Sequence, residues 1–296
     1  MESAVNKKYK LVIIGKGPAG IQAAIYTSRA RIPTVVIGID AGSLQLASKV
    51  ENYYGVSGQV SGIELQAVGE KQARSFGVDI IDSAVVGLGY SDDGFFVATP
   101  EKRYECKAVL LATGSSRVKA PVDGLERFTG KGVSYCAVCD GFLFKGKAVG
   151  VLGYTDYAAH EASELSAVTA DVTIFTNGNE YVRSTADKEI KIETAPIASV
   201  FGDEKLSGIR FSDGREVGID GLFVAYGIAS GSDFARKIGV SATENGDIET
   251  DANQMTNIPG VFAAGDCTGG FLQLSKAVGQ GAVAAKSIMD YLKQRT

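Results

Sequence analysis

Short apolar runs alternate along the chain with stretches in which apolar residues recur at helical spacing. Residues 10–14 form the first apolar run, residues 19–30 the first helical pattern, and residues 34–38 the next apolar run. This order predicts a β-α-β unit in which a crossover helix joins two parallel strands. The turn after the first strand then lies at the carboxyl edge of the sheet, where open α/β sheets place their ligands.

The strand–helix–strand pattern begins again in the middle of the chain. Residues 147–152 and 171–175 have the composition of strands, and residues 158–168 between them have helical spacing. Two further apolar runs, at residues 108–114 and 260–264, lie on either side of this second unit. The chain is therefore expected to leave one sheet, build another and return to the first.

We predict an α/β fold of two Rossmann-like three-layer domains, one inserted in the other. The outer domain comprises residues 1–116 and 232–296, with an amphipathic last helix over residues 275–291, and the inserted domain comprises residues 117–231. Polar joints at residues 115–116 and 229–232 are the expected hinges.

Composition and charge exclude several functions. The chain has 296 residues and a formal net charge of −4, with lysine and arginine spread along it, which gives no support for nucleic-acid binding. No stretch approaches the roughly 20 apolar residues of a membrane span, and the first ten residues lack the apolar core of a secretory signal. A cytoplasmic protein with no membrane and no nucleic-acid partner is expected. The single histidine, His160, is predicted on an exposed helix face without a catalytic role.

The turn at residues 15–20 reads Gly-Lys-Gly-Pro-Ala-Gly and matches the fingerprint of dinucleotide-binding domains. The three glycines of that fingerprint allow a tight turn, close approach of the backbone to a pyrophosphate, and close packing of helix on strand. The N–H groups at the start of the helix receive the anion. A glycine-rich surface turn is the alternative, but the position between a strand and a helix favours dinucleotide binding.

Two features favour FAD over NAD in the outer domain. Ala112-Thr113-Gly114 follows one apolar strand, and Gly265-Asp266 follows another, which places a carboxylate where it can accept hydrogen bonds from a ribityl or ribose hydroxyl. The carboxylate expected after the second strand is absent, because Gly38 occupies that position. Asp40 lies close by, with a solvated turn residue as its other interpretation.

Cys136 and Cys139 are separated by two residues and followed by Asp140. Such a pair can close a small disulfide, and a lowered pKa would make one sulfur a thiolate near neutral pH. Four cysteines are too few for a disulfide scaffold, and a zinc site needs about four ligands, which the chain lacks. A redox pair is therefore predicted, whereas Cys106 and Cys267 are expected to be buried thiols.

Taken together, these motifs resemble those of the low-molecular-weight thioredoxin reductases. The resemblance covers essentially the whole chain, and the matching stretches are residues 15–20, 51–55, 111–114, 131–141 and 259–266. It implies a flavoprotein of the type with two dinucleotide-binding domains, which forms homodimers, binds FAD and reduces thioredoxin.

The resemblance also implies roles for individual residues. Cys139 would face the flavin ring, Cys136 would attack the disulfide of thioredoxin, and Asp140 would act as the acid. The residues implied to hold FAD are Gly15, Gly17, Pro18, Ala19, Gly20, Asn52, Ala112, Thr113, Gly114, Gly265, Asp266, Gln273, Leu274 and Ala277. Because one cysteine pair cannot touch a buried flavin and a protein disulfide at once, the inserted domain is expected to rotate.

The inserted domain departs from the NADPH-using members of that family. Their GxGxxA loop is replaced at residues 153–158 by Gly-Tyr-Thr-Asp-Tyr-Ala, in which Tyr154 and Thr155 crowd the backbone approach that a pyrophosphate needs. Their basic cluster for the 2′-phosphate is replaced at residues 175–178 by a stretch without a cation, and the next cation is Arg183. We predict that ordinary NADPH binding is lost; a diverged but working site that uses NADH is the alternative.

At residues 53–55 and 265–270, and in its shortened chain, the sequence resembles the ferredoxin-dependent flavin thioredoxin reductases of anaerobes, which lack nicotinamide motifs. Typical potentials of about −400 mV for ferredoxin and about −270 mV for thioredoxin leave about 130 mV, or roughly 6 kcal/mol for two electrons. Ferredoxin is therefore the predicted electron donor and thioredoxin the predicted acceptor. An NAD(P)H-dependent reductase, a dithiol oxidase that passes electrons to oxygen, and a non-enzymatic flavin-binding redox sensor are the alternatives.

Overall fold

The computed structural model describes residues 9–40, 42–114, 119–183 and 190–295. Its contacts divide the chain into two compact units, an outer unit of Met1–Ser116 with Ser230–Thr296 and an inserted unit of Arg117–Ala229. Among the described helices, none combines the length with the apolar character that crossing a membrane demands.

The outer unit is built on a five-stranded parallel sheet. Its elements, numbered along the whole chain, are β1 (Leu11–Ile14), α1 (Pro18–Arg29), β2 (Thr34–Gly38), α2 (Gly62–Ser75), β3 (Asp79–Asp82), β4 (Gly87–Ser91), β5 (Gly94–Ala98), β6 (Arg103–Cys106), β7 (Ala108–Leu111), α5 (Gly231–Ile238), β16 (Val261–Ala263) and α6 (Leu274–Lys293). The parallel strands have the order β16-β7-β1-β2-β3, and a second, antiparallel sheet has the order β4-β5-β6.

Both faces of the parallel sheet are covered. Leu11 and Ile13 of β1 belong to a core that they share with residues of α1 and α6. Val12 points to the opposite face, as alternation along a strand requires, and it is fully buried as well. A strand buried on both faces appears in the sequence as an unbroken apolar run, which is why these strands could be predicted.

The inserted unit repeats this architecture. Its elements are β8 (Val133–Ser134), α3 (Ala137–Asp140), β9 (Val149–Leu152), α4 (Asp156–Ser166), β10 (Val172–Phe175), β11 (Lys191–Glu193), β12 (Ile197–Gly202), β13 (Leu206–Phe211), β14 (Glu216–Gly218) and β15 (Gly221–Val224). The parallel strands have the order β11-β10-β9-β15-β8, and β12-β13-β14 form an antiparallel sheet. Phe175 and Leu222 of the parallel sheet share a core with Ile209 and Phe211 of the antiparallel one.

The predicted joint at residues 229–232 is instead the first turn of α5. Ser230 is the N-cap, and its hydroxyl accepts a hydrogen bond from the N–H of Asp233, whose carboxylate accepts one from the N–H of Ser230. Because this capping box is buried in the outer unit, the inserted unit ends at Ala229, two residues before the predicted boundary. The other predicted joint, residues 115–116, lies outside the described residues.

Candidate functional site

The turn at residues 15–20 joins β1 to α1 and leaves room only for glycine at two positions. Gly15 has φ +108°, and a Cβ there would lie 2.1 Å from the carbonyl oxygen of Ala112. A Cβ on Gly20 would lie 2.0 Å from the carbonyl oxygen of Gly15. The turn and the first turn of α1 therefore have the close packing on which the fingerprint depends.

Helix α1 begins without a side-chain cap. Gly17 is the N-cap, and Pro18 occupies the first helical position, where its missing N–H costs no intrahelical hydrogen bond. The N–H groups of the next residues, Ala19 and Gly20, belong to the first turn, which has no intrahelical acceptor for them. This arrangement is suited to a pyrophosphate.

Two neighbouring strand ends bring further predicted FAD residues to the same edge. Strands β7 and β16 are parallel neighbours, so the segments that follow them, residues 112–114 and 265–266, leave the sheet side by side. A Cβ on Gly265, at φ +88°, would lie 3.0 Å from the Cβ of Ala19. Gly114, at φ +71°, has no atom within 4 Å of its Cβ position. The glycines at these two strand ends keep the margin open, which fits an extended dinucleotide.

The start of α6 completes the edge. Gln273 is the N-cap of this helix, which places Leu274 and Ala277 in its first turns. The side-chain amide of Asn52 donates to Oε1 of Gln273 over 3.1 Å, which joins two predicted residues that lie 221 positions apart. Carboxamides both donate and accept hydrogen bonds, as the polar edge of a flavin ring requires. The residues present therefore fit FAD.

The missing carboxylate after β2 has a steric cause. A Cβ on Gly38 would lie 2.8 Å from the backbone nitrogen of Lys16. Lys16 itself pairs with Asp82, which lies opposite Gly38 in the sheet register. Asp40 is a turn residue, as its alternative interpretation had it, because its carboxylate accepts the N–H of Gly42 over 2.8 Å. The Lys16–Asp82 pair could not be found from the sequence.

Cys136 and Cys139 form a disulfide with an S–S distance of 2.07 Å. They lie at the start and within the single turn of α3, and the N–H of Cys139 donates to Sγ of Cys136 over 3.1 Å. Cys136 is 3% exposed, whereas Cys139 is partly exposed. The two predicted redox residues are thus joined, and only one of them is accessible.

Two polar side chains hold the disulfide turn. Ser134 donates its hydroxyl to Asp140 over 2.6 Å and accepts the N–H of Cys136 over 3.1 Å, so it links the predicted acid to the first cysteine. Glu161 of α4 accepts the N–H of Ala137 over 2.9 Å. Sequence reasoning missed Glu161 because only the fold brings α4 beside α3. It also missed Ser134, although the spacing of two residues from Cys136 and six from Asp140 was a local signal.

The two remaining cysteines are buried, as predicted. Burial raises the pKa of Cys106 to about 12 and that of Cys267 to about 11, so both thiols are protonated at neutral pH. The predicted exposure of His160 is wrong, because its side chain is 24% exposed and lies along the helix, 4.0 Å from Glu164 one turn later.

The second strand–turn–helix, at residues 153–158, keeps the first glycine of the fingerprint. A Cβ on Gly153 would lie 2.1 Å from the carbonyl oxygen of Ala225, as a Cβ on Gly15 would from that of Ala112. The inserted unit therefore has the backbone of a dinucleotide-binding turn at this point.

The rest of this turn is occupied by the protein's own groups. Thr155 is the N-cap of α4 and donates its hydroxyl to the carbonyl oxygen of Gly227. The ring of Tyr154 packs edge-on against that of Tyr226, with 5.1 Å between the centroids. The carbonyl oxygen of Tyr154 accepts the N–H of Val182 over 2.8 Å. We call this set of contacts the filled turn.

The strand end beside the filled turn is also engaged. Asn177, at φ +53°, accepts the N–H of Ile197 with its side chain over 2.7 Å. Arg183, the nearest following cation in the sequence, lies 5.8 Å from the ring centre of Tyr181.

The profile of the pyridine nucleotide-disulphide oxidoreductase family matches residues 9–281. The chain belongs to this family. Membership confirms the predicted resemblance, the two-domain flavoprotein fold and FAD as the cofactor of this disulphide oxidoreductase.

Individual relatives of this disulphide oxidoreductase include thioredoxin reductases. That of Aquifex aeolicus is 34% identical over 278 residues, which cover 88% of the chain and 86% of the relative. That of Bacillus subtilis is 34% identical over an alignment of 314 positions, which covers 98% of the chain and 96% of the relative.

Two solved structures are similar over nearly their whole length. The atypical thioredoxin reductase TRi from Desulfovibrio vulgaris Hildenborough is 42% identical with a TM-score of 0.92, covering 97% of this chain and 99% of that one. A ferredoxin-flavin thioredoxin reductase from Clostridium acetobutylicum is 32% identical with a TM-score of 0.73, and the coverage is again 97% and 99%.

Proposed function

We propose that the chain is a thioredoxin reductase that takes electrons from reduced ferredoxin rather than from NAD(P)H. Thioredoxin reductase activity in general is supported by the relatives, because thioredoxin reductases match this chain over most or nearly all of its length. The choice of donor rests on one observation, the filled turn of the inserted unit.

The filled turn obstructs the approach of a pyrophosphate, which a nicotinamide dinucleotide needs for binding. A pyrophosphate binds where backbone N–H groups are uncovered and no side chain intervenes. Helix α4, like α1, begins without a side-chain cap, but here a side chain intervenes: Thr155 stands at the position of the middle glycine, and its hydroxyl donates to the carbonyl oxygen of Gly227. A dinucleotide would have to displace the Thr155 side chain before its pyrophosphate could approach the turn.

The neighbouring strand end offers little to a 2′-phosphate. This group carries close to two negative charges and is normally bound by Arg or Lys. Asn177 stands there instead, and its side-chain oxygen is already used by the N–H of Ile197. The named ferredoxin-flavin relative, with a TM-score of 0.73, gives independent support for a donor of the iron–sulfur type.

The residues of the chain have distinct tasks in the proposed reaction. FAD, when bound, can accept electrons singly and deliver them as a pair. Cys139, the partly exposed sulfur, takes the flavin side, and Cys136 attacks the thioredoxin disulfide to form a mixed disulfide, which Cys139 then resolves. Asp140, held by Ser134, moves the proton.

Two electrons and two protons are transferred for each thioredoxin reduced. Because Cys136 is 3% exposed, exchange with a protein disulfide requires a rearrangement that uncovers this sulfur. A homodimeric state and a cytoplasmic location belong to the same proposal and rest on the resemblance and the composition.

The decisive comparison uses three donors side by side under anaerobic conditions. Photoreduced ferredoxin, NADPH and NADH are each supplied with the enzyme and oxidised thioredoxin, and new thiols are counted. We expect turnover with ferredoxin and none with either nicotinamide, while Cys136→Ser abolishes turnover with every donor. Turnover with NADPH or NADH would favour the conventional reductase, and oxygen uptake with small dithiols but no thioredoxin reduction would favour a dithiol oxidase.

A further inference from the structure

Glu161 is a buried carboxyl group beside the disulfide that the proposed reaction does not use. Its side chain projects from α4 and is 1% exposed. Its Oε2 lies 2.9 Å from the backbone nitrogen of Ala137, the residue that follows Cys136. Cys136 itself is 3% exposed, so the carboxyl group and the sulfur share a region from which water is largely excluded.

A carboxylate in such a place has an energetic cost that the structure partly offsets. Burying a carboxylate costs several kcal/mol in real proteins, and hydrogen bonds such as that from the N–H of Ala137 reduce that cost. A charge at this buried position acts strongly on neighbouring groups, because charges interact more strongly where water is excluded. Reduction of the disulfide, which can create a thiolate, takes place beside this carboxyl group.

The same hydrogen bond removes a stabilising group from the cysteine. A thiolate at the start of a helical turn is stabilised by the N–H groups of that turn. Here the N–H of Ala137 is directed to Glu161, so the negative charge opposes a thiolate at Cys136 in two ways. It repels the anion, and it takes one of the N–H groups that would solvate it.

We propose that Glu161 is a positioning residue that anchors the disulfide turn and keeps the reduction potential of the Cys136–Cys139 pair low. Reduction adds two electrons and two protons to the disulfide and converts it into two thiols, and any ionisation of one of them stabilises the reduced pair. A neighbouring carboxylate disfavours that product and so favours the disulfide. A pair with a lower potential is a stronger reductant for thioredoxin. The proposal rests on the disulfide alone and is independent of the electron donor.

The test replaces Glu161 by an amide of the same shape. Glu161→Gln keeps an oxygen for the N–H of Ala137 and removes the charge, whereas Glu164→Gln changes a 45%-exposed carboxylate on the same helix and serves as the control. Each FAD-loaded protein is equilibrated with a series of reduced and oxidised dithiothreitol mixtures and quenched with acid. The free thiols on the peptide that contains Cys136 and Cys139 are then counted by mass spectrometry.

We expect Glu161→Gln to reach half-reduction at a ratio of reduced to oxidised dithiothreitol roughly tenfold lower than the wild type, which corresponds to about 30 mV. Glu164→Gln should match the wild type. A Glu161→Gln midpoint within about twofold of the control would overturn the proposal.

A second variant separates charge from loosened structure. Ala137→Pro removes the N–H and leaves the carboxyl group of Glu161 in place, and proline is tolerated at the first position of a helical turn. The proposal expects no rise in potential for this variant. A midpoint for Ala137→Pro roughly tenfold below that of the wild type would show that only the anchoring matters and would overturn the role of the charge. Because this comparison is made with the wild type, it can be read even where Glu161→Gln fails to fold.

Discussion

Gly15 and Gly77 share a positive φ but differ in their surroundings. Gly15 has φ +108° and a carbonyl oxygen 2.1 Å from its Cβ position, whereas Gly77 has φ +81° and no atom within 4 Å. We expect Gly77→Ala to cost about 1–2 kcal/mol of stability and to leave the FAD content unchanged. Gly15→Ala should lose more stability and most of its FAD.

The measurements are the unfolding midpoint in urea and the ratio of flavin to protein after purification. Equal losses in the two variants would mean that backbone strain alone matters at Gly15. FAD binding would then not depend on the close packing of the dinucleotide turn.

The raised pKa values of the buried thiols predict a clear labelling pattern. A thiol with a pKa of about 11 is only about one-thousandth thiolate at pH 8, and the thiolate is the nucleophile. Iodoacetamide at pH 8 should therefore leave Cys106 and Cys267 unmodified in the oxidised native protein. After mild reduction, Cys139 should be labelled first because its side chain is partly exposed.

Mass spectrometry of the labelled peptides checks this order, and urea-unfolded protein, in which all thiols react, is the control. Rapid labelling of Cys267 before reduction would contradict its burial. It would also mean that the outer unit opens at the strand end near Asp266 under native conditions.

Single residues differed in how far the sequence could predict them. The glycines of the first turn and the Cys136–Cys139 pair could be predicted, because fixed spacing reflects local geometry. Glu161 and the Lys16–Asp82 pair could not, because their contacts join segments that only the tertiary fold brings together.

At the scale of secondary structure, two capping boxes offer a matched comparison. Ser61 caps α2 and bonds Glu64 at an exposed site, whereas Ser230 caps α5 and bonds Asp233 at a buried one. We expect Ser61→Ala to cost about 0.5–1 kcal/mol and Ser230→Ala about 2 kcal/mol, since the second removes a hydroxyl that donates to the buried Asp233 carboxylate over 2.7 Å.

Urea unfolding of the two variants measures the difference directly. Similar costs would contradict the description of Ser230 as part of the packed outer unit. Residues 229–232 would then be described as an irregular joint, as the sequence had suggested.

Elements with strong patterns were the predictable ones. The buried parallel strands appear as apolar runs, and α6, observed over Leu274–Lys293, has the amphipathic spacing that predicted it over residues 275–291. The start of α5 was mistaken for a linker because Ser230, Gly231 and Ser232 are residues common in loops. The spacing of Ser230 and Asp233 is a capping signal that could have corrected this interpretation.

At the scale of the whole molecule, the two units have the same architecture but different turns. The repetition could be predicted, because the strand–helix–strand pattern occurs twice. The replacement of the middle glycine by Thr155, with Tyr154 beside it, was also visible, but the bonds to Gly227 and Val182 became visible only in the fold.

The most direct test of this account is an anaerobic titration of the FAD-loaded enzyme with NADPH, followed by the flavin absorbance. The filled turn predicts that a stoichiometric excess of NADPH leaves the absorbance of the oxidised flavin unchanged, while dithionite, as a control, bleaches it completely. Rapid bleaching by one equivalent of NADPH would show that the inserted unit binds and uses the nucleotide, and would contradict the central claim.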